Sequence, residues 1–516
     1  MNDKKSGSAF FRNTLAQTAG RLLYLLTRVG LPPLILHFVP LEEYGLWSTC
    51  FLLISYVSMG AFGVSNVYIR YVAEYNAKNQ HESISGLVST GLLLTFSFSV
   101  VALSGVWLAM PWILQGFKVA PNLHDTAQTL ILGSLATMLL DMTLGAFAYI
   151  LHGLQKIAQQ TVVWIVSFLL ETALIVSLLL LGYGVESLLW AFLARYIFST
   201  FIYIFLCYRA IPDLHISLRL VNRQFFGTFL KYGGILQVSG LLSIAMYSIE
   251  RVLAGYLSGL AAIAILDLGQ KFPVMASQVF SSMNASFLPA ITEAHHLGKQ
   301  EEIQKLYTKG LRYLNLLNGL AMGFLAPFAA WLILAWIGKN TAMNLSDTVQ
   351  VMMCACVGYQ LHVLTGPLSA YYQGINQPAR TLGYIGWQVL FVIAGLAAVW
   401  QYASFDVVTI ALLVMVARGL SAMIFLLVGN FRLKLKFWRF IGSVLLPGMM
   451  PYAFGYGIIT ALMPWMDMLN ANRWLLIAAL AVIGGAYLLL SIGFFYAFMC
   501  GKDEQAQIRQ KLSRRR

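Results

Sequence analysis

Acidic side chains are scarce in this chain. Its 516 residues hold 20 Asp and Glu against 34 Lys and Arg, and charged residues of both signs make up only 10%. A soluble globular domain carries roughly 25%. With 59% apolar residues and a mean hydropathy of +0.73, there is too little polar surface to cover the apolar content with a water-facing shell. Cysteine is sparse too: Cys50, Cys207, Cys354, Cys356 and Cys500 all lie within or at the ends of apolar runs. Cys354 and Cys356, two apart, point to different faces of a helix. Neither a disulfide framework nor a metal site is expected, and the five read as membrane-packing residues. Also missing are a glycine-rich phosphate loop ending in lysine, an HExxH pair and a nucleophile elbow. ATP hydrolysis is therefore not expected, no catalytic residue is assigned, and no cofactor is implied.

What is present is apolar sequence in long runs. Windows of about 20 residues, enough to cross a hydrocarbon core as a helix, recur about fourteen times. They centre near residues 24, 54, 96, 138, 169, 199, 243, 274, 323, 360, 390, 417, 451 and 486. Each span has about 37 residues including its loop, too few for a sizeable soluble domain. The expected fold class is an all-α polytopic membrane protein. The first run carries Arg21 and Arg28 and lacks a small-residue cleavage pattern after a short apolar core, so it reads as a span and not a cleaved leader.

The cations segregate by side. With the N-terminus in the cytoplasm and sides alternating, the outer loops hold only Lys118, Lys339 and Arg473. Six cations fall within spans, and the rest of the 34 lie in inner loops and tails. That asymmetry places both termini in the cytoplasm. "FRLKLKFWRF" (Phe431–Phe440) and the terminal "KLSRRR" then face the inner leaflet. There they read as topology signal and anionic-lipid contact, and nucleic-acid binding is not expected.

Two stretches recur. "LLWAFLARYIFST" (Leu188–Thr200) matches "ALLVMVARGLSAM" (Ala411–Met423), with Arg195 against Arg418; "AYILHGLQKIA" (Ala148–Ala158) matches "SAYYQGINQPA" (Ser369–Ala379), with Gly153 against Gly374. The offsets of 223 and 221 residues each enclose six spans, so both halves enter the membrane from the same side. The expectation is two six-helix bundles related by a pseudo-two-fold axis along the membrane normal, with a cavity between them and two extra C-terminal helices. In residues, 1–210 is the N-terminal bundle, 211–231 a cytoplasmic linker and 232–430 the C-terminal bundle. Residues 431–500 are the two added spans, and 501–516 a basic cytoplasmic tail.

Ten groups of fixed charge fall within the spans: Arg21, Arg28, Arg195, Arg251, Lys271 and Arg418, against Asp141, Glu171, Glu250 and Asp267. Each costs roughly 2.5–3.5 kcal/mol at a helix centre in lipid, about 30 kcal/mol together, so most must face a bundle interior or a wet cavity. Thr14, Gln17, Arg21, Tyr24 and Arg28 make one polar stripe on the first span; Asp267, Lys271 and Gln278 make another on the eighth. In "YSIERVLAGYL" (Tyr247–Leu257) the adjacent Glu250 and Arg251 diverge by about 100° and each must meet a different neighbour. The six cations are the candidate substrate-binding set, suited to an anionic passenger, because arginine binds pyrophosphate in a bidentate way. The four carboxylates are candidates for ion coupling. The competing reading for both sets is interhelical pairing, as Asp267 and Lys271 can do at i,i+4. His37 and His362 read as packing residues. Pro32–Pro33 in the first span and Pro447 with Pro451 in the thirteenth are the expected kinks or ends.

"LEEYGLWSTCFLLISYVSMGAFGVSNVYIRYVAEY" (Leu41–Tyr75) resembles the first-loop and second-helix signature of Wzx-type bacterial polysaccharide flippases. These belong to the multidrug/oligosaccharidyl-lipid/polysaccharide (MOP) exporter superfamily. "SIERVLAGYLSGLAAIAILDLGQKF" (Ser248–Phe272) resembles that family's seventh and eighth helices, with Glu250 where aspartate is common. The resemblance covers nearly the whole chain. It implies an O-antigen or exopolysaccharide flippase of the bacterial inner membrane. Such a protein carries an undecaprenyl-pyrophosphate-linked oligosaccharide to the outer leaflet through a cationic cavity, driven by an ion gradient, with a polysaccharide polymerase complex as a candidate partner. A peptidoglycan-precursor flippase or a multidrug antiporter would share the fold; the antiporter's cavity should be dominated by carboxylates. A membrane glycan polymerase or ligase would need a larger outer loop than these, on the order of 5–15 residues, with Glu42–Glu43 the only acidic pair outside.

Overall fold

The computed structural model describes residues 20, 23–25, 27–61, 63–338, 344–402, 405–469, 472–499 and 505. Among them every regular element is helical. Lipid offers no hydrogen bonds, so each backbone N–H and C=O must be satisfied within its own segment, and a helix does this. Ten helical runs are long and apolar enough to cross a membrane. A bent pair, residues Gln300–Leu325 and Ala329–Ile337, makes an eleventh. The windows near residues 24, 54 and 243 hold helices as well, at Leu23–Phe38, Leu41–Val57 and Arg223–Ser258, outside that set of eleven.

The chain divides into two compact units, Met1–Ala264 and Ile265–Arg516. The first contains α1 (Leu23–Phe38), α2 (Leu41–Val57), α3 (Val64–Ala77), α4 (His81–Gly116), α5 (His124–Leu144), α6 (Ala146–Gly153), α7 (Ile157–Leu180), α8 (Glu186–Ala210) and α9 (Arg223–Ser258). Here α5 packs on α2, α4 and α8, α7 runs beside α8, and α9 lies on α2, α3 and α4. The buried cluster of Tyr68, Val72, Phe147, Tyr203, Cys207 and Phe229 fills the space where α3, α4, α6, α8 and α9 meet.

The boundary falls just inside α10 (Leu260–Ser281). The second unit adds α11 (Phe287–His296), α12 (Gln300–Leu325), α13 (Ala329–Ile337), α14 (Leu345–Val363), α15 (Thr365–Gly374), α16 (Leu382–Tyr402), α17 (Val407–Arg432), α18 (Phe437–Phe440), α19 (Leu446–Leu469) and α20 (Arg473–Phe494). Its tightest seam joins α12 to α19. A Cβ on Gly319 would come within 2.2 Å of the Gly448 carbonyl oxygen, and one on Gly455 within 2.0 Å of that of Gly323. Gly319 and Gly323, four apart, therefore let two backbones touch, the way helices associate where no hydrophobic force draws them together. Beside the seam, the fully buried Asn315, Asn318 and Gln360 bond to one another, and the Asn315 amide donates to the Val444 carbonyl at 2.7 Å.

The prolines act partly where the sequence singled them out. α1 runs through Pro32 and Pro33 to Phe38. The sharp break is at Pro327, between α12 and α13, which bend by 69°. Pro447 and Pro451 are preceded by a π-helical turn, Ile441–Leu445. The turn holds Ser443, whose carbonyl Pro447 leaves without an i→i−4 donor, while Pro451 lies inside α19.

Repetition is visible in local structure. In the first unit Asn79, Lys118 and Gln155 adopt positive φ (55°, 52°, 59°) just after α3, α4 and α6. In the second, Gly298, Gly338 and Asn376 (68°, 86°, 57°) follow α11, α13 and α15. These positive-φ residues follow helix C-termini, and the pairs are spaced by 219, 220 and 221 residues.

Candidate functional site

In the first unit, four helices bring two arginines and five aromatic rings into a closed circuit. The Arg28 guanidinium lies 5.1 Å from the Tyr24 ring centroid and 5.7 Å from that of Phe51. Tyr24 and Arg28 are one helical turn apart on α1, so the stack is local to that helix. Tyr24 meets Phe168 of α7 at 5.2 Å; Arg195 of α8 covers Phe168 at 5.6 Å and Tyr196 at 4.9 Å. Tyr196 packs edge-on against Phe192 at 4.9 Å, and Phe192 against Phe51 of α2 at 5.7 Å, which returns the circuit to Arg28. Aromatic faces hold guanidinium groups by their quadrupoles while leaving the N–H edges free to donate.

The two arginines differ in what balances them. Arg195 donates from Nη1 to Glu171 Oε2 at 2.8 Å, with both side chains at or below 10% exposure. Arg28 forms no ion pair among the described residues, and its Nε is buried without a hydrogen-bond partner. A buried guanidinium donor left open is rare in a folded protein and marks a place where an anion fits. The charges of Asp141, Arg195, Glu171 and Arg28 all reach Tyr196, so four of the ten intramembrane charges share one neighbourhood.

Arg21 is outside the described residues. On α9, Glu250 is buried and Arg251 half-buried, with the neighbouring Ser248 hydroxyl donating to Tyr56 Oη at 2.7 Å. On α10, Lys271 and Asp267 bond to each other at 2.7 Å, one turn apart. Arg418 of α17 is fully buried over the Tyr359 ring at 4.7 Å, with Nη1 3.6 Å from Met415 Sδ. His362 bonds through Nδ1 to Tyr384 Oη at 2.8 Å. The repeat-equivalent Arg195 and Arg418 thus both sit buried on tyrosine.

Two of the three cations that the sequence assigns to outer loops serve as helix caps. Lys118 Nζ donates to the Leu257 carbonyl at the end of α9 (2.7 Å), and Arg473 donates to the Ala335 and Trp336 carbonyls at the end of α13 (2.9 and 2.5 Å). Cations at helix C-termini satisfy open carbonyls and the helix dipole. Lys339 is outside the described residues. No group of three His, Cys, Asp or Glu side chains is placed to hold a metal among the described residues.

The chain matches the model of a family described as polysaccharide biosynthesis protein over residues 8–295. Among solved structures it is similar to the lipid II flippase MurJ in an inward closed conformation, with a TM-score of 0.68 and 15% identity over 94% of this chain and 98% of that one. It is also similar to an inward-facing MATE family multidrug resistance transporter of the MOP superfamily (TM-score 0.64, 16% identity, 83% and 98% covered). A MOP superfamily transporter from Pyrococcus furiosus, described by the reverse polarity of its binding pocket, aligns with a TM-score of 0.54 at 16% identity, over 83% and 95%. No curated protein matches the chain. At such identities the likeness establishes the fold, which is that of MOP-type transporters.

Proposed function

Because the chain belongs to the polysaccharide biosynthesis protein family, we propose that it is a flippase. Its passenger is an undecaprenyl-pyrophosphate-linked oligosaccharide repeat unit, moved by alternating access from the cytoplasmic to the periplasmic leaflet of the bacterial inner membrane. Both termini are cytoplasmic in this reading, and a polysaccharide polymerase complex is the downstream partner. The observation that supports it is Arg28. A guanidinium clamped between two aromatic rings, with an open buried donor, suits a pyrophosphate, which arginine engages with two parallel bonds. Arg21, on the same sequence stripe as Arg28, and Arg251 are the further headgroup candidates of the first unit in this proposal; Lys271 and Arg418 are those of the second unit, taken by itself.

Arg195 takes a positioning role, because Glu171 already neutralises it. Ion coupling falls to the carboxylates Asp141, Glu171, Glu250 and Asp267.

The test is the sidedness of sugar-loaded carrier in cells lacking the protein, rescued with wild type, Arg28→Ala or Arg28→Lys at matched protein levels. Inner-leaflet accumulation cleared by wild type and not by Arg28→Ala supports the proposal. Arg28→Lys, which keeps the charge and loses the planar fork, should clear it only partly. Sugar that reaches the outer leaflet unpolymerised without the protein would mean that it acts after translocation, and the flippase reading falls.

A further inference from the structure

A second cationic site lies in the C-terminal unit, built from residues the circuit does not use. A cavity of about 390 Å³ opens between the N-terminal turns of α12 and the segment leading from α17 into α19. Lys305, Lys309 and Arg312, at i, i+4 and i+7, present one face of α12 to it. Lys436 faces them from the connecting segment, and the Ser443 hydroxyl comes from the π-helical turn; Glu301 is the one carboxylate in the lining. The floor is the buried Tyr307, Phe440 and Val444.

The walls are tied together. Gln304 donates to the Leu433 carbonyl at 2.8 Å, Tyr307 Oη donates to Asn430 Oδ1 at 3.1 Å, and Asn315 reaches the Val444 carbonyl at 2.7 Å. The Arg312 guanidinium stacks over Phe495 at 5.5 Å. Among the described residues Lys305, Lys309 and Lys436 form no ion pair. Four cations converge here on a cavity of ligand size, with Glu301 as the one carboxylate of the lining, so the pocket carries a net positive charge suited to an anion. In the same connecting stretch as Lys436, Phe431, Phe437 and Trp438 are 85%, 46% and 78% exposed. Exposed aromatic rings next to lysines belong at the depth of lipid headgroups.

We propose that this pocket binds the phosphate group of an anionic membrane phospholipid, at a site separate from the arginine–aromatic circuit. Three ammonium groups and a guanidinium match a phosphodiester with neighbouring hydroxyls, and the exposed aromatics assign the source to the membrane instead of solution. A free inorganic phosphate would satisfy the same cations, so the test must separate the two.

Purified full-length protein in a neutral detergent would be titrated with short-chain phosphatidylglycerol, short-chain phosphatidylcholine or inorganic phosphate. Thermal shift and native mass spectrometry would be read together. The expected result is saturable binding of phosphatidylglycerol, weakened about tenfold or more in Lys309→Ala/Lys436→Ala. The charge-matched control Lys78→Ala/Lys156→Ala, in the other unit, should bind as wild type. Lys309 and Lys436 are exposed, so the pair of substitutions should leave the unliganded melting temperature near that of wild type. Equal binding of inorganic phosphate overturns the assignment to lipid. Equal loss in the control, equal binding of phosphatidylcholine, or wild-type binding by the pocket variant overturns the site. The readout needs no transport, so it stands or falls independently of the flippase reading.

Discussion

At the scale of single residues, pairing decides what a buried charge costs. Glu171 and Arg195 are held in a contact of 2.8 Å that is almost closed to solvent. Removing one member of such a pair leaves the other charge buried, typically at about 3–5 kcal/mol, whereas replacing both with apolar groups is often near neutral. Glu171→Leu or Arg195→Leu alone should therefore lower the melting temperature sharply, and the double substitution should recover most of it. The check is a double-mutant cycle by thermal unfolding in detergent. If Glu171 is instead held for ion coupling, the double variant will be stable yet transport nothing. Arg28 behaves differently in this picture: with no ion pair among the described residues, Arg28→Ala should lose function while leaving the melting temperature nearly unchanged.

At the scale of elements, the α12–α19 seam depends on backbone contact. An exposed helical glycine replaced by alanine normally gains up to about 1 kcal/mol. At Gly323 the added methyl would meet the Pro451 carbonyl carbon and the Tyr452 nitrogen at 2.7 Å, and the Tyr487 hydroxyl as well. Overpacking of that kind costs about 1–3 kcal/mol. Gly323→Ala should thus destabilise, and Gly386→Ala, in open space on α16, should be neutral or stabilising. Opposite signs for the same chemical change, measured by thermal unfolding, would identify the seam; equal signs would refute it. Its polar counterpart, Asn315 with Asn318 and Gln360, fastens the same helix to α14.

At the scale of the whole molecule, the charge asymmetry predicts topology. Asn122 sits exposed in a loop assigned to the outside, and Lys299 sits exposed in one assigned to the inside. In a background with the native cysteines replaced, an impermeant thiol reagent added to intact cells should label Asn122→Cys and spare Lys299→Cys until the membrane is opened. The reverse pattern would invert the orientation, and with it the side on which both proposed sites load.

Much of this was legible in the chain because a bilayer is an unforgiving solvent. Each apolar window of about 20 residues predicts a helix, since nothing else satisfies the backbone there. The repeat was readable from Gly153 and Gly374, which end α6 and α15 in the same kind of left-handed turn. The presence of costly charges was readable too, and so was the local pair Asp267–Lys271. What the sequence could not assign was the partner of each remaining charge. Glu171 and Arg195 lie 24 residues apart on neighbouring helices, and whether they meet depends on helix rotation and depth. The same holds for the rings around Arg28, where only the Tyr24 step, one turn away on α1, was open to sequence reasoning. Proline composition alone did not tell Pro327, which breaks a helix, from Pro32 and Pro33, which do not end one. Sequence by itself determined what each segment would pay for facing lipid; tertiary packing decided which groups relieve that cost, because burial and pairing belong to neighbours, not to residues.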